Sequence, residues 1–205
     1  MKIAVVGLGA VGGLIAGRLA RAGCAVSALA RGATLAAVRE RGLRLQIDGE
    51  DLTAHVPVAD DAAELGPQDL VVIALKGPAL IEAAPALRPL LGAATILLPA
   101  MNGVPWWFLQ SGADAAVASN DPLASVDPGG HIAAVLPLAR VLGCVVHLTC
   151  SSPQPGVVRH GFGNRLIVGE PAGGASARTA AVCDVLASAG FTAEPSADIR
   201  SDIWY

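Results

Sequence analysis

Gly7-Leu8-Gly9-Ala10-Val11-Gly12 is the stretch that decides the fold, because it has the spacing G-x-G-x-x-G. It follows the apolar run Lys2–Val6, which indicates a buried strand, and it precedes apolar residues at helical spacing. In this context the first glycine allows a tight turn, the second lets a pyrophosphate approach the backbone, and the third lets the helix pack on the strand. The helix N-terminus adds N–H donors and a positive dipole. A tight turn without a ligand is the alternative, but strand, spacing and helix together favour a dinucleotide-binding turn.

Composition indicates a globular protein. The chain has 205 residues, of which 53% are hydrophobic and 15% are charged, and this balance excludes a disordered chain. The longest uncharged apolar stretches, such as Leu90–Met101, fall short of the ~18–20 residues that span a bilayer, so no membrane partner is expected. The formal net charge of −3 provides no basic surface for a polyanion. Nucleic acid is therefore not expected as a partner.

The amino terminus and the cysteines bear on the cellular location. Residues 1–20 superficially resemble a signal peptide, but three glycines interrupt the apolar run, and Arg18 and Arg21 precede any cleavage signal. We therefore expect a cytoplasmic protein with reduced, mostly buried thiols and no metal site. Neither a C-x-x-C pair nor a metal-ligand spacing to histidine occurs among the four cysteines, which are Cys24, Cys144, Cys150 and Cys183.

Strand and helix patterns alternate through the first hundred residues. The strands are continuously apolar, which is typical of strands buried on both faces of a sheet. Strand–helix–strand alternation implies parallel strands joined by right-handed crossovers. The predicted fold class is therefore α/β, with a Rossmann-type, doubly wound, mainly parallel sheet. The predicted strands are Lys2–Val6, Ala25–Ala30, Leu70–Leu75 and Thr95–Leu98, and the helices are 11–22, Thr34–Arg41 and a weaker Ala79–Leu91 that contains two prolines.

Further strands are expected to continue this sheet with antiparallel members. A hairpin is predicted around Asp48-Gly49, because Asp-Gly is a strong two-residue turn signal. Gly, Asp and Pro punctuate Ser111–Leu138, which we expect to be an irregular excursion with one short helix. The added strands are predicted at Leu43–Ile47, Leu52–Val58, Val141–Thr149, Gly156–His160, Arg165–Gly169 and Phe191–Glu194, with a helix at Ala175–Ala189.

The domain prediction places a boundary near the carboxyl end. Residues 1–195 are expected to form the dinucleotide-binding domain. Ser196 is suited to N-cap a new helix, since a serine side chain accepts hydrogen bonds from first-turn N–H groups. No stop signal follows it, so residues 196–205 are expected to be the first turns of a helix that leads into a further domain.

The end of the second predicted strand bears on the choice of cofactor. A site that prefers NAD usually has Asp or Glu there, which binds the ribose 2′-hydroxyl. Here the strand runs into Arg31-Gly32, and no acidic residue follows before Glu40. A guanidinium suits the 2′-phosphate of NADP through a charge-assisted contact, while a solvated surface arginine is the alternative. The sequence therefore favours NADP(H).

Two polar positions follow later strands of the predicted sheet. Lys76 comes directly after Leu70–Leu75, and Asn102-Gly103 comes after the apolar run 95–100. Ligands of open α/β sheets bind at the carboxyl ends of the strands, so both positions are candidates for the site. A surface lysine and an ordinary Asn-Gly turn are the alternatives. No G-x-S-x-G or H-E-x-x-H motif occurs, so the sequence does not support a hydrolase or a metalloenzyme.

Taken together, these residues resemble the ketopantoate reductases (2-dehydropantoate 2-reductases). The resemblance covers essentially the whole chain, and the joint pattern is much more specific than any single motif. The stretches that carry it are Lys2-Ile3-Ala4-Val5-Val6-Gly7-Leu8-Gly9-Ala10-Val11-Gly12-Gly13, Ala30-Arg31-Gly32, Leu75-Lys76, Asn102-Gly103-Val104-Pro105-Trp106-Trp107, Gly156-Val157-Val158-Arg159-His160 and Asp198-Ile199-Arg200-Ser201-Asp202-Ile203-Trp204.

The resemblance implies an NADPH-dependent reductase of 2-dehydropantoate, a 2-keto acid, whose product serves pantothenate and coenzyme A synthesis. It assigns the pyrophosphate to Gly7–Gly12 and the 2′-phosphate to Arg31. It adds Lys76 to the cofactor site, and a cofactor contact through the backbone near Thr149. Asn102 would contact both the nicotinamide and the substrate, orienting the ketone for hydride attack. The expected partner is thus a small-molecule 2-keto acid. Whether the full-length enzyme forms a homodimer is left as an open question.

The same resemblance implies parts that residues 1–205 lack. The family's general acid is a lysine that follows a Trp-x pair like Trp204-Tyr205, at the start of a helical domain that closes the substrate cleft. The 205 residues are therefore expected to carry only the cofactor half of an active site. General acid catalysis is commonly worth ~10²–10⁴-fold, so turnover by these residues alone is not expected.

Two hypotheses from different classes remain open at this point. The first is an NADPH-dependent reductase of 2-dehydropantoate or a related 2-keto acid. The second is a catalytically inactive NADP(H)-binding module or remnant of such an enzyme. A lysine after Tyr205, followed by ~100 residues with helical patterning, would favour the enzyme.

Overall fold

The structure is a computed structural model, and it describes residues 1–110 and 123–204. Within them lie ten strands and six α-helices. The strands are β1 (Lys2–Val6), β2 (Ala25–Leu29), β3 (Leu43–Ile47), β4 (Glu50–Ala54), β5 (Val58–Ala59), β6 (Gln68–Ile73), β7 (Leu91–Pro99), β8 (Gly143–Gln154), β9 (Val157–Gly169) and β10 (Thr192–Ser196). The helices are α1 (Ala10–Arg21), α2 (Gly32–Arg41), α3 (Ala62–Leu65), α4 (Gly77–Ala83), α5 (Ala177–Ser188) and α6 (Ile199–Asp202).

The first sheet is the predicted parallel one. Its strand order is β5-β2-β1-β6-β7, and every neighbouring pair is parallel. Alternate residues of β1 enter separate cores, since Ile3 and Val5 belong to one buried cluster and Ala4 and Val6 to another. This arrangement confirms the Rossmann-type fold and explains the continuously apolar strands, because both faces are covered. The order reverses between β1 and β6, which is where open sheets of this type bind ligands.

Helix α1 packs between the first sheet and a second one, and two of its glycines allow the close approach. A Cβ placed on Gly13 would lie 2.6 Å from a side-chain carbon of Val158 in β9. One placed on Gly17 would lie 2.6 Å from a side-chain carbon of Leu45 in β3. A larger residue at either position would therefore force the second sheet away from α1.

The later strands form a mixed second sheet. Its order is β10-β9-β3-β4, and β8 pairs antiparallel with β9. Two isolated bridges, Leu97 with Val141 and Ala100 with Cys144, connect β7 to the start of β8. Antiparallel members are thus present, but they belong to this second sheet and do not continue the first one as predicted, and β9 also pairs parallel with β3 and β10. The bridges matter for the site because they place β8 beside the carboxyl end of β7.

The predicted hairpin is present, although its second strand is shorter than expected. Asp48 and Gly49 both have positive φ, 52° and 84°, as a two-residue type I′ turn requires. The second strand ends at Ala54, whereas the sequence indicated a strand through Val58. Val58 instead pairs with β2 in the first sheet, after the chain passes Pro57, which cannot donate to a ladder. The residues after β5 therefore reach the carboxyl edge of the first sheet.

The cap of α6 also differs from the prediction. Its N-cap is Asp198, whose carboxylate accepts hydrogen bonds from the backbone N–H groups of Arg200 and Ser201, both at 3.2 Å. The hydroxyl of Ser196 instead accepts the backbone N–H of Asp198 at 3.0 Å. Ser196 ends β10 and so cannot also begin the helix. Residues 111–122 of the predicted irregular excursion, and any helix within them, lie outside the described residues, and the described remainder has turns and a short 3₁₀ segment at Pro128–Gly130.

Candidate functional site

A cavity of about 310 Å³ opens at the carboxyl edge of the first sheet, where the strand order reverses. The turn after β1 forms one wall, through Gly7, Leu8 and Gly9. The end of β2 and the start of α2 form another, and α4 with the segment that follows it closes a third side. We call this space the first cavity.

The three motif glycines serve three separate steric purposes in the turn. Gly7 has φ +93°, which L side chains rarely adopt. Gly12 packs so closely that an added Cβ would lie 1.9 Å from the carbonyl oxygen of Gly7. An added Cβ on Gly9, by contrast, would meet nothing within 4 Å, because Gly9 faces the open cavity. This is the space that a pyrophosphate lying against the backbone would need, so the turn fits a dinucleotide.

The start of α1 leaves backbone donors available beside this turn. Gly9 is the N-cap residue, and no side chain caps the helix there. The N–H groups of the first turn, at Ala10, Val11 and Gly12, are the groups that an α-helix leaves without internal partners. Together with the helix dipole they favour an anion at this end.

Arg31 lies where the sequence predicts it, at the edge of the first cavity. It is the N-cap residue of α2, and it is exposed. Among the described residues, none forms an ion pair with it. Thr34, in the first turn of α2, and Ser152, near the tip of the β8–β9 hairpin, line the same cavity.

Two acidic residues of the first cavity were missed by the sequence analysis. Asp60 and Glu82 both line it, although neither is near Arg31 in sequence. A carboxylate oxygen of Asp60 lies 3.6 Å from a guanidinium nitrogen of Arg39, so its charge is partly offset. Asp60 was missed because β5 is only two residues long and was merged into the preceding predicted strand.

A second cavity, of about 260 Å³, lies beyond the end of β7. Asn102, predicted as a site residue, lines it. The amide of Asn102 bonds the backbone of Val146 twice, donating Nδ2–H to the carbonyl and accepting the N–H, both at 2.9 Å. Its neighbours in the cavity wall are Met101, Gly103, Cys144, Val145, His147, Asp202 and Ile203.

His147 of β8 and Asp202 of α6 line this second cavity, and Arg165 of β9 and Glu194 of β10 interact with them. His147 of β8 faces Arg165 across the β8–β9 pairing. A guanidinium nitrogen of Arg165 donates to the carboxylate of Glu194 at 2.7 Å. This bond, with smaller contributions from the charges of Arg165 and His147, lowers the pKa of Glu194. The hydrogen bond to Glu194 raises the pKa of Arg165, and the charges of Glu194 and of Asp202 in α6 raise it further.

The cavity also contains a thiol, which burial makes a poor nucleophile. Burial raises the pKa of Cys144 to about 12, so the thiolate is not populated at neutral pH. Cys183 is also buried, while Cys24 and Cys150 are partly exposed, and none of the four forms a disulfide. The expectation of reduced thiols agrees with this arrangement. Among the described residues no group of His, Cys, Asp or Glu side chains is arranged to hold a metal ion.

Five predicted site residues line neither cavity. Three of them, Ala10, Val11 and Gly12, form the first turn of α1 directly after Gly9. Lys76 is the exposed N-cap residue of α4, and its neighbours Leu75 and Ala79 line the first cavity while Lys76 itself does not. Thr149 is exposed in β8, and its hydroxyl accepts the backbone N–H of Phe162 at 2.8 Å. The structure therefore brings together Gly7–Gly9 and Arg31, places Asn102 in the second cavity, and leaves Lys76 and Thr149 outside.

Comparison with known proteins identifies the family of this fold and these motifs. The model of the family "Ketopantoate reductase PanE/ApbA" matches residues 3–106, which include the glycine turn, Arg31, Lys76 and Asn102. The chain belongs to the ketopantoate reductase family. The match to the family model thus confirms the resemblance inferred from the sequence.

Individual relatives agree with this family assignment. The chain is 42% identical to a 2-dehydropantoate 2-reductase of Mesorhizobium japonicum, over all of this chain and 62% of the relative. Among solved structures, a ketopantoate reductase candidate from Ralstonia solanacearum MolK2 is 51% identical with a TM-score of 0.95, over 99% of this chain and 62% of that one. The 2-dehydropantoate 2-reductase from Porphyromonas gingivalis W83 is 25% identical with a TM-score of 0.79, over 99% of this chain and 66% of that one.

The chain spans about three fifths of the length of these ketopantoate reductases. The shared part contains both cavities, since it covers nearly the whole of residues 1–205. No helix among the described residues is long and apolar enough to cross a bilayer.

Proposed function

We propose that this protein is a cytoplasmic, NADPH-dependent reductase of a 2-keto acid, with 2-dehydropantoate as the substrate to test first. The observation that carries the proposal is the first cavity, where Gly9 leaves open space beside the uncapped start of α1 and Arg31 stands at the rim. The names of the relatives supply the substrate class.

The residues that would hold the cofactor follow from the geometry of the first cavity. The backbone at Gly7–Gly12 would receive the pyrophosphate, and the guanidinium of Arg31 would pair with the 2′-phosphate. By the family resemblance, Lys76 and the backbone near Thr149 would add contacts once the cofactor is present. When bound, NADPH supplies the hydride that reduces the ketone.

Asn102 would orient the ketone. One Nδ2–H is already bonded to the carbonyl of Val146, and an amide nitrogen carries two, so one donor is free to point elsewhere. The bonds to Val146 hold the amide in a fixed place, which is what an orienting group needs. The proton that completes the hydroxyl would come from the family's lysine, which the resemblance places after Tyr205.

Two measurements test this proposal. NADPH should bind residues 1–205 more tightly than NADH, as followed by the fluorescence of the bound nicotinamide. The full native protein should consume NADPH in the presence of 2-dehydropantoate. Residues 1–205 alone should bind NADPH but turn over at no meaningful rate, because the general acid that the family resemblance implies is not among them.

The outcomes separate this proposal from its alternatives. If the full native protein binds NADPH and reduces no 2-keto acid, it is a binding module and the enzymatic assignment is wrong. If residues 1–205 alone turn over near the rate of the full native protein, the proton donor lies within them. Equal binding of NADPH and NADH would remove the cofactor assignment.

A further inference from the structure

His147 is a titratable residue beside Asn102 to which the proposed mechanism gives no task. We propose that His147 contacts the 2-keto acid, donating a ring N–H to its carboxylate while Asn102 donates to the ketone oxygen. This inference rests on the proposed function, and it adds a substrate-binding residue on β8.

The backbone connects the two side chains rigidly. The amide of Asn102 is bonded twice to Val146, and Val146 is the residue directly before His147 in β8. Both side chains line the second cavity. The ketone and carboxylate of a 2-keto acid are on adjacent carbons, so two donors held at neighbouring positions match its two groups of acceptor atoms.

The ring of His147 is available for such a contact. It is half-buried, and it forms no hydrogen bond with any of the described residues. His160, on the neighbouring strand and also half-buried, instead has its Nε2 at the carbonyl of Gly163. The half-buried imidazole of His147 has no hydrogen-bond partner among the described residues, so its N–H donor is available to a ligand, whereas His160 already has such a partner.

The two carboxylates near His147 already accept hydrogen bonds from other side chains. Glu194 accepts from Arg165, and the carboxylate of Asp202 accepts from the hydroxyl of Ser196. Among the described residues neither carboxylate is hydrogen-bonded to the imidazole, although the electrostatic interaction with His147 contributes to the lowered pKa of Glu194. The guanidinium of Arg165 also offsets the carboxylates, which lowers their repulsion of an incoming anion.

A neutral imidazole donates one N–H and an imidazolium donates two, so the contact exists in either state. The charged form binds a carboxylate more strongly. A role in binding the substrate therefore predicts that removing the imidazole raises the KM for the keto acid and changes kcat much less.

The experiment compares His147→Ala, His147→Gln and His160→Ala in the full native protein. His147→Ala should raise the KM for 2-dehydropantoate at least about tenfold, the scale of one lost charge-assisted bond. The Kd for NADPH should stay within about twofold of the unmutated value, since His147 lines the second cavity and not the first. The matched control His160→Ala should leave both values unchanged.

The glutamine variant separates binding from a structural effect. His147→Gln keeps an N–H donor in place of the imidazole, so it should recover part of the substrate affinity that His147→Ala loses. Thermal unfolding of each variant checks the fold, and if the alanine variant does not fold, a raised KM in His147→Gln with an unchanged Kd for NADPH carries the test.

Specific results would overturn the inference. It is wrong if the KM of His147→Ala equals that of the unmutated protein. It is also wrong if the KM of His147→Gln is as high as that of His147→Ala, or if NADPH binding weakens as much as substrate binding. If the unmutated protein binds NADPH without reducing 2-dehydropantoate, the proposed function fails first and this inference fails with it.

Discussion

The two cavities are built in different ways from the same sheet edge. The first takes its central wall from three consecutive residues, Gly7 to Gly9, and its rim from Arg31 one strand away. The second combines Asn102, His147 and Asp202, which are far apart in sequence. A contiguous turn can be recognised from its spacing, whereas a site assembled from three distant segments exists only once the chain has folded.

The difference extends to how each cavity depends on the rest of the molecule. The glycine turn of the first cavity is set by local backbone conformation, such as the positive φ of Gly7. The position of Asn102 in the second cavity depends on a tertiary contact, its paired bonds to Val146. We therefore expect a substitution of Gly9, which contacts no other residue at its Cβ position, to alter ligand binding alone, and a substitution of Asn102 to alter folding as well.

The largest expected effect is the loss of dinucleotide binding in Gly9→Val. The new side chain would occupy the open space where the pyrophosphate must lie, yet it meets no protein atom within 4 Å at its Cβ. Cofactor titration and circular dichroism on the same sample should show a folded domain with binding weakened more than about a hundredfold, or about 2.7 kcal/mol. Gly12→Ala is the matched control, and its clash with Gly7 should lower the free energy of unfolding. Retained binding in Gly9→Val would mean that the turn is structural only.

The next effect is selective for NADPH. Arg31→Ala should cost about 1.5–3 kcal/mol of NADPH binding, the scale of a hydrogen bond to a charged group, and little of NADH binding. Parallel fluorescence titrations with both cofactors measure this difference. Arg41→Ala, an exposed arginine at the other end of α2, serves as the control and should change neither affinity. Equal losses of NADPH and NADH binding in Arg31→Ala would show that the guanidinium does not contact the 2′-phosphate.

The second cavity should respond through stability. Asn102→Ala removes both bonds to the backbone of Val146, and we expect the free energy of unfolding to fall by about 1–2 kcal/mol, because Asn102 is exposed and water can replace part of the loss. Urea unfolding of residues 1–205 measures it. Asn102→Asp keeps the acceptor for the Val146 N–H but places a carboxylate oxygen against the Val146 carbonyl, so it should lose at least as much. If Asn102→Ala leaves the free energy of unfolding unchanged, the second cavity does not depend on this tertiary contact, and the two cavities do not differ in the way described.

The smallest effect concerns Arg39, which offsets the charge of Asp60. Arg39→Ala leaves that carboxylate facing a cavity that is proposed to hold phosphates, so NADPH binding should weaken by about twofold to fivefold, the range of an exposed ion pair. The effect should shrink as salt is added, because exposed charges are screened. Arg39→Ala/Asp60→Asn should restore the affinity. Loss of affinity that persists in the double variant would assign another role to Arg39.

Most of the first sheet could be predicted because its signals are local, although its edge strand β5 was missed. The β1 bounds agree with the prediction, and the glycine spacing and the apolar strands each act over a few residues, as does the Asp48-Gly49 turn of the second sheet. Asp60 and His147 were missed for a different reason. Asp60 follows a two-residue strand, and His147 lies within a long strand that pairs with β9 and reaches the end of β7 only through an isolated bridge. No pattern around either residue indicates a cavity.

Strand β8 touches both cavities. His147 lines the second and Ser152 the first, five residues further along the strand. At about 3.3 Å per residue, this separation corresponds to about 16 Å along the strand, or somewhat less where β8 is irregular. The length of β8 between His147 and Ser152 therefore sets the distance between these two positions in the cavity walls. A ligand that fills both cavities must match this distance, so inserting or deleting a residue between 147 and 152 would change which ligands can span the two cavities without altering any residue that touches them.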